Sequence, residues 1–337
     1  MEQSTAETDT ASLSAWRFVV WFGIVAMFAD IVYEGARSIT GPLLASLGAS
    51  ALVVGVVTGV GEAAALLLRL VSGPLTDRTG RFWAWTISGY TLTVVAVPLL
   101  GVASVLWVAC GLVVAERVGK AVRSPAKDTL LSHATAVTGR GRGFAVHEAL
   151  DQVGALTGPL LVAAVLVATG NDYRPALLVL AIPGAVALGL VAWLRVRVPR
   201  PAVYEPVAAP GASASPAAVP ATRLPGVFWA YAGFAGLTMA GFATFGVLSY
   251  HLVTAGLLSA AAVPVLYAAA TESEKASTGT AYGVLGAVLG VAAAAGGALA
   301  GGLYDVSVPA LVLCTGVLQL VALVVLVLTL RRAPSTT

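Results

Sequence analysis

The sequence predicts an all-α integral membrane protein, a helical bundle with a complete six-helix first half and a shortened four-helix second half. Three observations carry that reading. Of the 337 residues 58% are hydrophobic and only 10% are charged, against roughly 25% charged in ordinary soluble domains, and the mean hydropathy is +0.91. Apolar runs repeatedly approach the roughly 20 residues that cross a hydrocarbon layer of about 30 Å. Finally, 37 glycines and 7% aromatics favour helices that approach through small residues over a barrel with aromatic girdles.

Taken in order, residues 1–15 are rich in Glu, Asp, Ser and Thr and lack a basic leader and cleavage site, so they read as a disordered tail. Apolar runs near 16–38, 50–73, 82–100, 103–121, 143–168 and 175–195 give six spans and a bundle over 16–198. Seven prolines between Pro199 and Pro225, among Ala and Ser, cannot bury enough surface to order themselves, which makes 199–225 a cytoplasmic linker. Runs near 226–250, 257–270, 279–302 and 308–330 then form a second bundle over 226–331, followed by a short tail, 332–337. The run 257–270 is the shortest of these, and it decides whether the count is nine or ten.

Positive residues near span ends choose the ten-span reading, because they are retained in the cytoplasm. With ten spans, fifteen Lys and Arg fall on one side, only Arg37 and Arg174 on the other, and Arg117 and Lys120 inside the membrane. Both termini are therefore expected in the cytoplasm, in a multi-pass protein of the cell's plasma membrane. The net charge of +3, with no basic cluster interleaved with aromatics, argues against nucleic acid as a partner. Cys110 and Cys314 lie in apolar runs without paired spacing, so neither a metal site nor a cofactor is expected. No Ser/His/Asp order or phosphate-binding glycine loop points to an enzyme.

After the second span comes Gly73-Pro-Leu-Thr-Asp77-Arg78-Thr-Gly80-Arg81, which resembles the G-x-x-x-D-R-x-G-R loop between helices two and three of the major facilitator superfamily. Gly154-Ala-Leu-Thr-Gly158-Pro159 is similar to the G-x-x-x-G-P motif of that superfamily's antiporters, with Leu160 and Leu161 where small residues usually follow. Further stretches, Asp30 to Glu34, Gly61-Glu62, Glu116 to Asp128 and His147 to Asp151, resemble a prokaryotic subgroup that contains presumed drug and metal exporters. The resemblance implies a secondary transporter of twelve-helix ancestry. Here Ala270 runs through a short polar stretch into Thr280-Ala-Tyr282-Gly283, which looks like the start of family helix eleven, so family helices nine and ten are expected to be missing.

Six acids fall within spans: Asp30, Glu34, Glu62, Glu116, Glu148 and Asp151. Charges at mid-membrane cost several kcal/mol and persist where they are paired or face water. Asp30 and Glu34 share a helix face at a spacing of four, Glu148 and Asp151 at three, and Arg117, Lys120 and Arg123 at three-residue steps. The expectation is that Asp30 and Glu34 face Arg117 and Lys120 across a cavity, with Glu148 and Asp151 contributing, so that a proton on a carboxylate weakens an ion pair and couples protons to movement of a small molecule or ion. The alternative is a set of buried pairs that fix helix register.

For Gly73, Asp77, Arg78, Gly80 and Arg81 the resemblance implies a conformational latch, with Asp77 at a helix N-terminus; a positive anchor beside a tight turn explains the same residues. Gly154, Gly158 and Pro159 can bend helix five or serve plain packing. The glycines at 286, 290, 296, 297, 301 and 302 read as packing positions. Arg123 to Asp128, at a cytoplasmic helix end beside Pro125, reads equally as a solvated turn or as a gate, His147 as a hydrogen-bonded structural residue, and His133 and His251 as loop residues.

Overall fold

A computed structural model describes residues 13–204, 226–270 and 280–332. Most of both expected tails, the linker beyond Tyr204 and the polar stretch 271–279 lie outside the described residues. Thirteen α-helices and no strand occur among the described residues. Eight helical segments there are long and apolar enough to cross a membrane.

The first half holds α1 (Ala15–Ser46), α2 (Ala51–Leu67), α3 (Arg69–Thr79), α4 (Phe82–Val102), α5 (Leu106–Thr138), α6 (Arg140–Ala168), α7 (Tyr173–Leu178) and α8 (Ala181–Arg197). Local signals set their ends. The Ser14 hydroxyl accepts from the Arg17 N–H, and the Ser50 hydroxyl from the Val53 N–H, each capping a helix N-terminus. Gly80 closes α3 at φ +60°, a left-handed conformation that a side chain would oppose. α2 with α3, and α7 with α8, each form one crossing with a break between them.

Two spans are longer than the apolar ruler indicates. α1 continues past Arg37 to Ser46, and α5 past Lys120 to Thr138 with Pro125 inside it. Hydropathy stops counting at charged residues, whereas the helix continues because those residues meet partners on neighbouring helices. The reading of Arg123 to Asp128 as a solvated turn is thus corrected: Arg123 is only 4% exposed, its guanidinium stacked over the rings of Tyr33 and Tyr90 and donating to Thr93 Oγ1 at 2.9 Å. His133 lies in α5, and His251 lies in the helix Phe245–Thr254, so neither is a loop residue.

The second half comprises α9 (Gly226–Ala240), α10 (Phe245–Thr254), α11 (Ala262–Ala270), α12 (Thr280–Val306) and α13 (Val308–Arg332). The expected single run 226–250 is two helices, broken at residues 241–244. The run 257–270 becomes a helix only from Ala262; nine described residues rise about 14 Å, less than half of a hydrocarbon layer. The linker also starts later than expected, since Pro201–Tyr204 form a 3-10 turn in which the Tyr204 hydroxyl donates to Leu13 O at 2.7 Å and its ring packs on Phe18.

Small residues bring two helix pairs to backbone contact. On α6, a Cβ at Gly154 would sit 2.9 Å from Asp30 Cβ, and one at Gly158 2.9 Å from Ile31 Cα, so these glycines seat α6 on α1. On α12, Gly297 meets the backbone of Gly55 and Gly301 that of Ala51 and Leu52, while Gly290 faces Ala63 and Leu66 on α2. Such approach is how helices associate where lipid offers no hydrophobic drive. The Asp305 carboxylate at the end of α12 then accepts from the N–H groups of Ala51 (3.1 Å) and Leu52 (2.9 Å), capping α2 from the other half of the molecule.

Candidate functional site

Between the halves lies a cavity of about 170 Å³, room for several waters. Arg37 and Thr40 of α1, Thr58 and Glu62 of α2, and Val113 and Arg117 of α5 form one wall. Met239, the α9–α10 break from Phe242 to Thr244, Phe245, Gly246 and Ala293 form the other. Irregular backbone at membrane depth is tolerated where it lines such a cavity. Here Gln319 Nε2 donates to Thr238 O at 3.0 Å, and the Thr244 hydroxyl caps the new helix by accepting from Val247 N–H at 3.4 Å. The hydroxyls of Thr58 and Thr244 meet at 2.8 Å across the halves. Because Thr58 already donates to Val54 O at 2.8 Å, Thr244 is the donor in that contact.

Charge is organised around Glu62. It pairs with Arg37 and, at 3.7 Å, with Arg117. Arg117 Nε lies 3.3 Å from Glu116 Oε2, and Arg37 Nη1 lies 3.7 Å from Glu34 Oε1. The other Glu34 oxygen accepts from the hydroxyl of Tyr267 in α11. Gly61 makes this layout possible, because a Cβ there would press on Arg117 Cγ at 3.0 Å. Arg117, 6% exposed, keeps one buried nitrogen, Nη1, without a hydrogen-bond partner among the described residues, and Glu116 Oε1 is likewise unpartnered.

The expected constellation is therefore divided. Glu34 and Arg117 belong to this network, but each pairs first with residues outside the expected set, Tyr267 and Arg37 for Glu34, Glu62 and Glu116 for Arg117. Lys120 lies 4.9 Å from the centre of the Tyr33 ring. Asp30 sits in a second buried cluster inside the first half, where the charges acting on it are Asp151, Lys127, Glu34 and Arg123. There Lys127 Nζ lies 3.2 Å from His147 Nε2, and His147 Nε2 lies 3.9 Å from Asp151 Oδ1. An ammonium only donates, so this ring nitrogen accepts and the imidazole proton resides on Nδ1. Glu148 stands apart from Asp151, accepting from Gln152 on its own helix at 3.2 Å.

Sequence reasoning missed Arg37, counting it only as a positive residue at the outer end of the first span, 16–38. The signal was available: positions 30, 34 and 37 follow a helical face. Tyr267 carried no such signal, since its contact spans 233 residues of chain.

Asp77, Arg78, Gly80 and Arg81 are exposed, and Gly73 half-buried. Asp77 lies in the last turn of α3, not at a helix N-terminus, and makes no hydrogen bond or ion pair among the described residues. The expected dipole partner is replaced by the carbonyl end of α3, which repels a carboxylate. Pro159 lies within a continuous α6.

The profile of the Major Facilitator Superfamily matches residues 20–255. Uncharacterised proteins of Mycobacterium bovis and Mycobacterium tuberculosis are 54% identical, covering 94% of this chain and 93% of theirs. That match runs over 383 positions but takes in 94% of the 337 residues, about 317, so about 66 positions fall opposite gaps in this chain. Two membrane-crossing helices with their connections have about that length, which is consistent with the expected loss of two family helices. An uncharacterised MFS-type transporter of Methanocaldococcus jannaschii is 24% identical over 188 residues, 56% of this chain and 47% of that protein. Among solved structures, a mutant form of the nucleoside transporter NupG superposes at TM-score 0.57 and 11% identity, covering 74% of this chain and 64%, under two thirds, of that one. A bacterial homologue of the human lysosomal transporter Spinster, inward-facing and occupied, superposes at TM-score 0.54 and 14% identity, covering 90% and 77%. At these identities the structures speak for the fold, and together with the profile match over most of the chain they lead to one conclusion: this protein is a member of the Major Facilitator Superfamily.

Proposed function

We propose that the chain is a proton-coupled exporter of a small molecule, working by alternating access in the plasma membrane with both termini in the cytoplasm. The observation that carries this reading is the cavity itself, whose walls come from both halves and whose polar residues, Arg37, Thr58, Glu62, Arg117 and Thr244, converge from α1, α2, α5 and the α9–α10 break. A site shared between halves is what a rocking mechanism requires. Export rests on the resemblance of the first-half motifs to presumed exporters. A metal-ion cargo is less well supported, since no group of three or more His, Cys, Asp or Glu able to hold a metal occurs among the described residues.

Proton coupling falls to the carboxylates. Asp30 and Asp151 share Lys127 as a countercharge, so a proton gained by one carboxylate frees the lysine for the other. Glu34 is the link to the cavity, through Arg37 on one side and Tyr267 on the other. In proteoliposomes, Asp30→Asn and Glu34→Gln are expected to abolish acidification-driven efflux while leaving the protein folded; full coupling in both variants overturns the assignment.

A second reading, a non-transporting membrane partner of the same ancestry, is favoured by the positions this chain lacks against its mycobacterial relatives. Comparing transport by this chain with transport by the 54%-identical mycobacterial protein separates the two, because the partner reading requires activity in the longer protein alone.

A further inference from the structure

We propose that two reciprocal side-chain clasps hold the halves together at one end of the bundle, Asp305 of the second half on the start of α2 and Asn171 of the first half on the start of α11. The inference rests on the alternating-access reading and names the residues that set its conformational balance. α1 ends at Ser46, α2 begins at Ala51, α6 ends at Ala168 and α12 ends at Val306, and these termini share the side that the proposed orientation puts outside the cell. There the Asp305 carboxylate accepts from the N–H groups of Ala51 and Leu52. In the opposite direction, Asn171 Oδ1 accepts from the Ala261 N–H at 3.1 Å, one residue before α11 begins at Ala262. Each half thus supplies an acceptor to N–H groups at a helix start of the other, where the helix itself offers no carbonyl partner.

The backbone aims Asn171 at its target. α6 is followed by two consecutive left-handed residues, Gly170 at φ +67° and Asn171 at φ +69°, a conformation that asparagine tolerates better than most residues with side chains. The Asn171 N–H bonds back to Leu166 O at 2.8 Å, so the main chain is anchored to its own helix while the side-chain carbonyl serves the other half. The clasps stand at the outer ends of two seams between the halves, α2 on α12 and α6 on α11. Close backbone approach reinforces that end: Gly301 leaves no room for a side chain against Ala51 and Leu52, and Gly41 of α1 none against Gly246 and Ser249 of α10. The Thr58–Thr244 and Tyr267–Glu34 bonds lie deeper in the bundle. Rocking the halves apart on the outer side therefore has to break both clasps.

The test is thiol labelling of the full chain in membrane vesicles. Cys110 and Cys314 are replaced by alanine, Met239→Cys puts one thiol in the cavity wall, and a membrane-impermeant maleimide is added to right-side-out or inverted vesicles. Labelling from the outer face is expected to be slow but measurable in this parent. It should rise at least threefold with Asn171→Gly, which keeps the left-handed backbone and deletes the acceptor, at least threefold with Asp305→Ala, and further in the double variant, because the two bonds hold different seams. Ser50→Ala is the control: it removes the α2 cap made within one half and should leave outer labelling within twofold of the parent. No rise with Asn171→Gly, an equal rise with Ser50→Ala, or a rise confined to the cytoplasmic face overturns the inference; Asn171→Gly decides alone if Asp305→Ala does not fold. A parent labelled from the cytoplasmic face only, with outer labelling confined to the clasp variants, defeats the alternating-access reading and leaves the clasps standing.

Discussion

The Tyr267 hydroxyl of α11 donates a hydrogen bond to the Glu34 carboxylate of α1, joining a helix of nine described residues to the charged network at the centre of the first half. The contact explains how so short a helix is held. It also leaves Glu34 with donors from both halves, Arg37 from its own helix and Tyr267 from the other, so its environment changes whenever the halves move apart.

Removing that hydroxyl isolates its contribution. Tyr267→Phe keeps the ring, which packs edge-on against Phe245 with centroids 4.6 Å apart, and deletes only the donor. The expected loss is about 1–3 kcal/mol, because the acceptor is charged, measured as a lower melting temperature of the purified protein in detergent. An unchanged melting temperature would show that water replaces the hydroxyl at no cost.

The α2–α12 seam makes a sharper prediction. Gly297→Ala drives a methyl group into the backbone carbonyl of Gly55, and overpacking of this kind costs about 1–3 kcal/mol. Gly111→Ala in α5 is the control, since nothing lies within 4 Å of the added carbon, and it should stabilise by up to about 1 kcal/mol through helix propensity. Opposite signs in thermal unfolding are the expected outcome.

Asp305→Ala removes the carboxylate that caps α2 across the halves and should cost about 0.5–2 kcal/mol. Amide hydrogen exchange gives the local readout: protection should fall at Ala51 and Leu52, whose N–H groups bond to Asp305, and stay unchanged at Val53, whose N–H bonds to Ser50.

Asp77 is exposed and without an ion pair among the described residues, so Asp77→Asn should change stability by no more than about 0.5 kcal/mol. If the latch proposal holds, the same substitution shifts the balance between cytoplasm-open and outside-open forms, read by reactivity of cysteines introduced at Thr40 and Thr244. A change in substrate affinity alone would point to the anchoring role instead.

Much of the fold was legible because the governing signals are local. Each apolar run falls largely on observed helix, and the α12 glycines at 290, 296, 297 and 301 pack as their spacing indicates. The charged centre was only half legible. Helical periodicity places Asp30, Glu34 and Arg117 on inward faces, but which residues meet depends on how far each helix is displaced along its neighbour. That displacement is set by close approaches such as Gly61 under Arg117 and Gly154 against Asp30, which no single-helix pattern encodes. The same limit hid the α9–α10 break: residues 241–244 form an apolar stretch in sequence and reveal themselves only through what they line.

The cross-half carboxylate cap has a mechanical meaning. Asp305 ties one end of the α2–α12 pair, at Ala51 and Leu52, while toward the other end Gly290 packs against Ala63, Leu66 and Leu67. A pair tied by charge-assisted hydrogen bonds at one extremity and by contact alone at the other is expected to resist separation most at Ala51, so a tilt between the halves is expected to open widest beyond Leu66, where α3 carries Asp77 and Arg78.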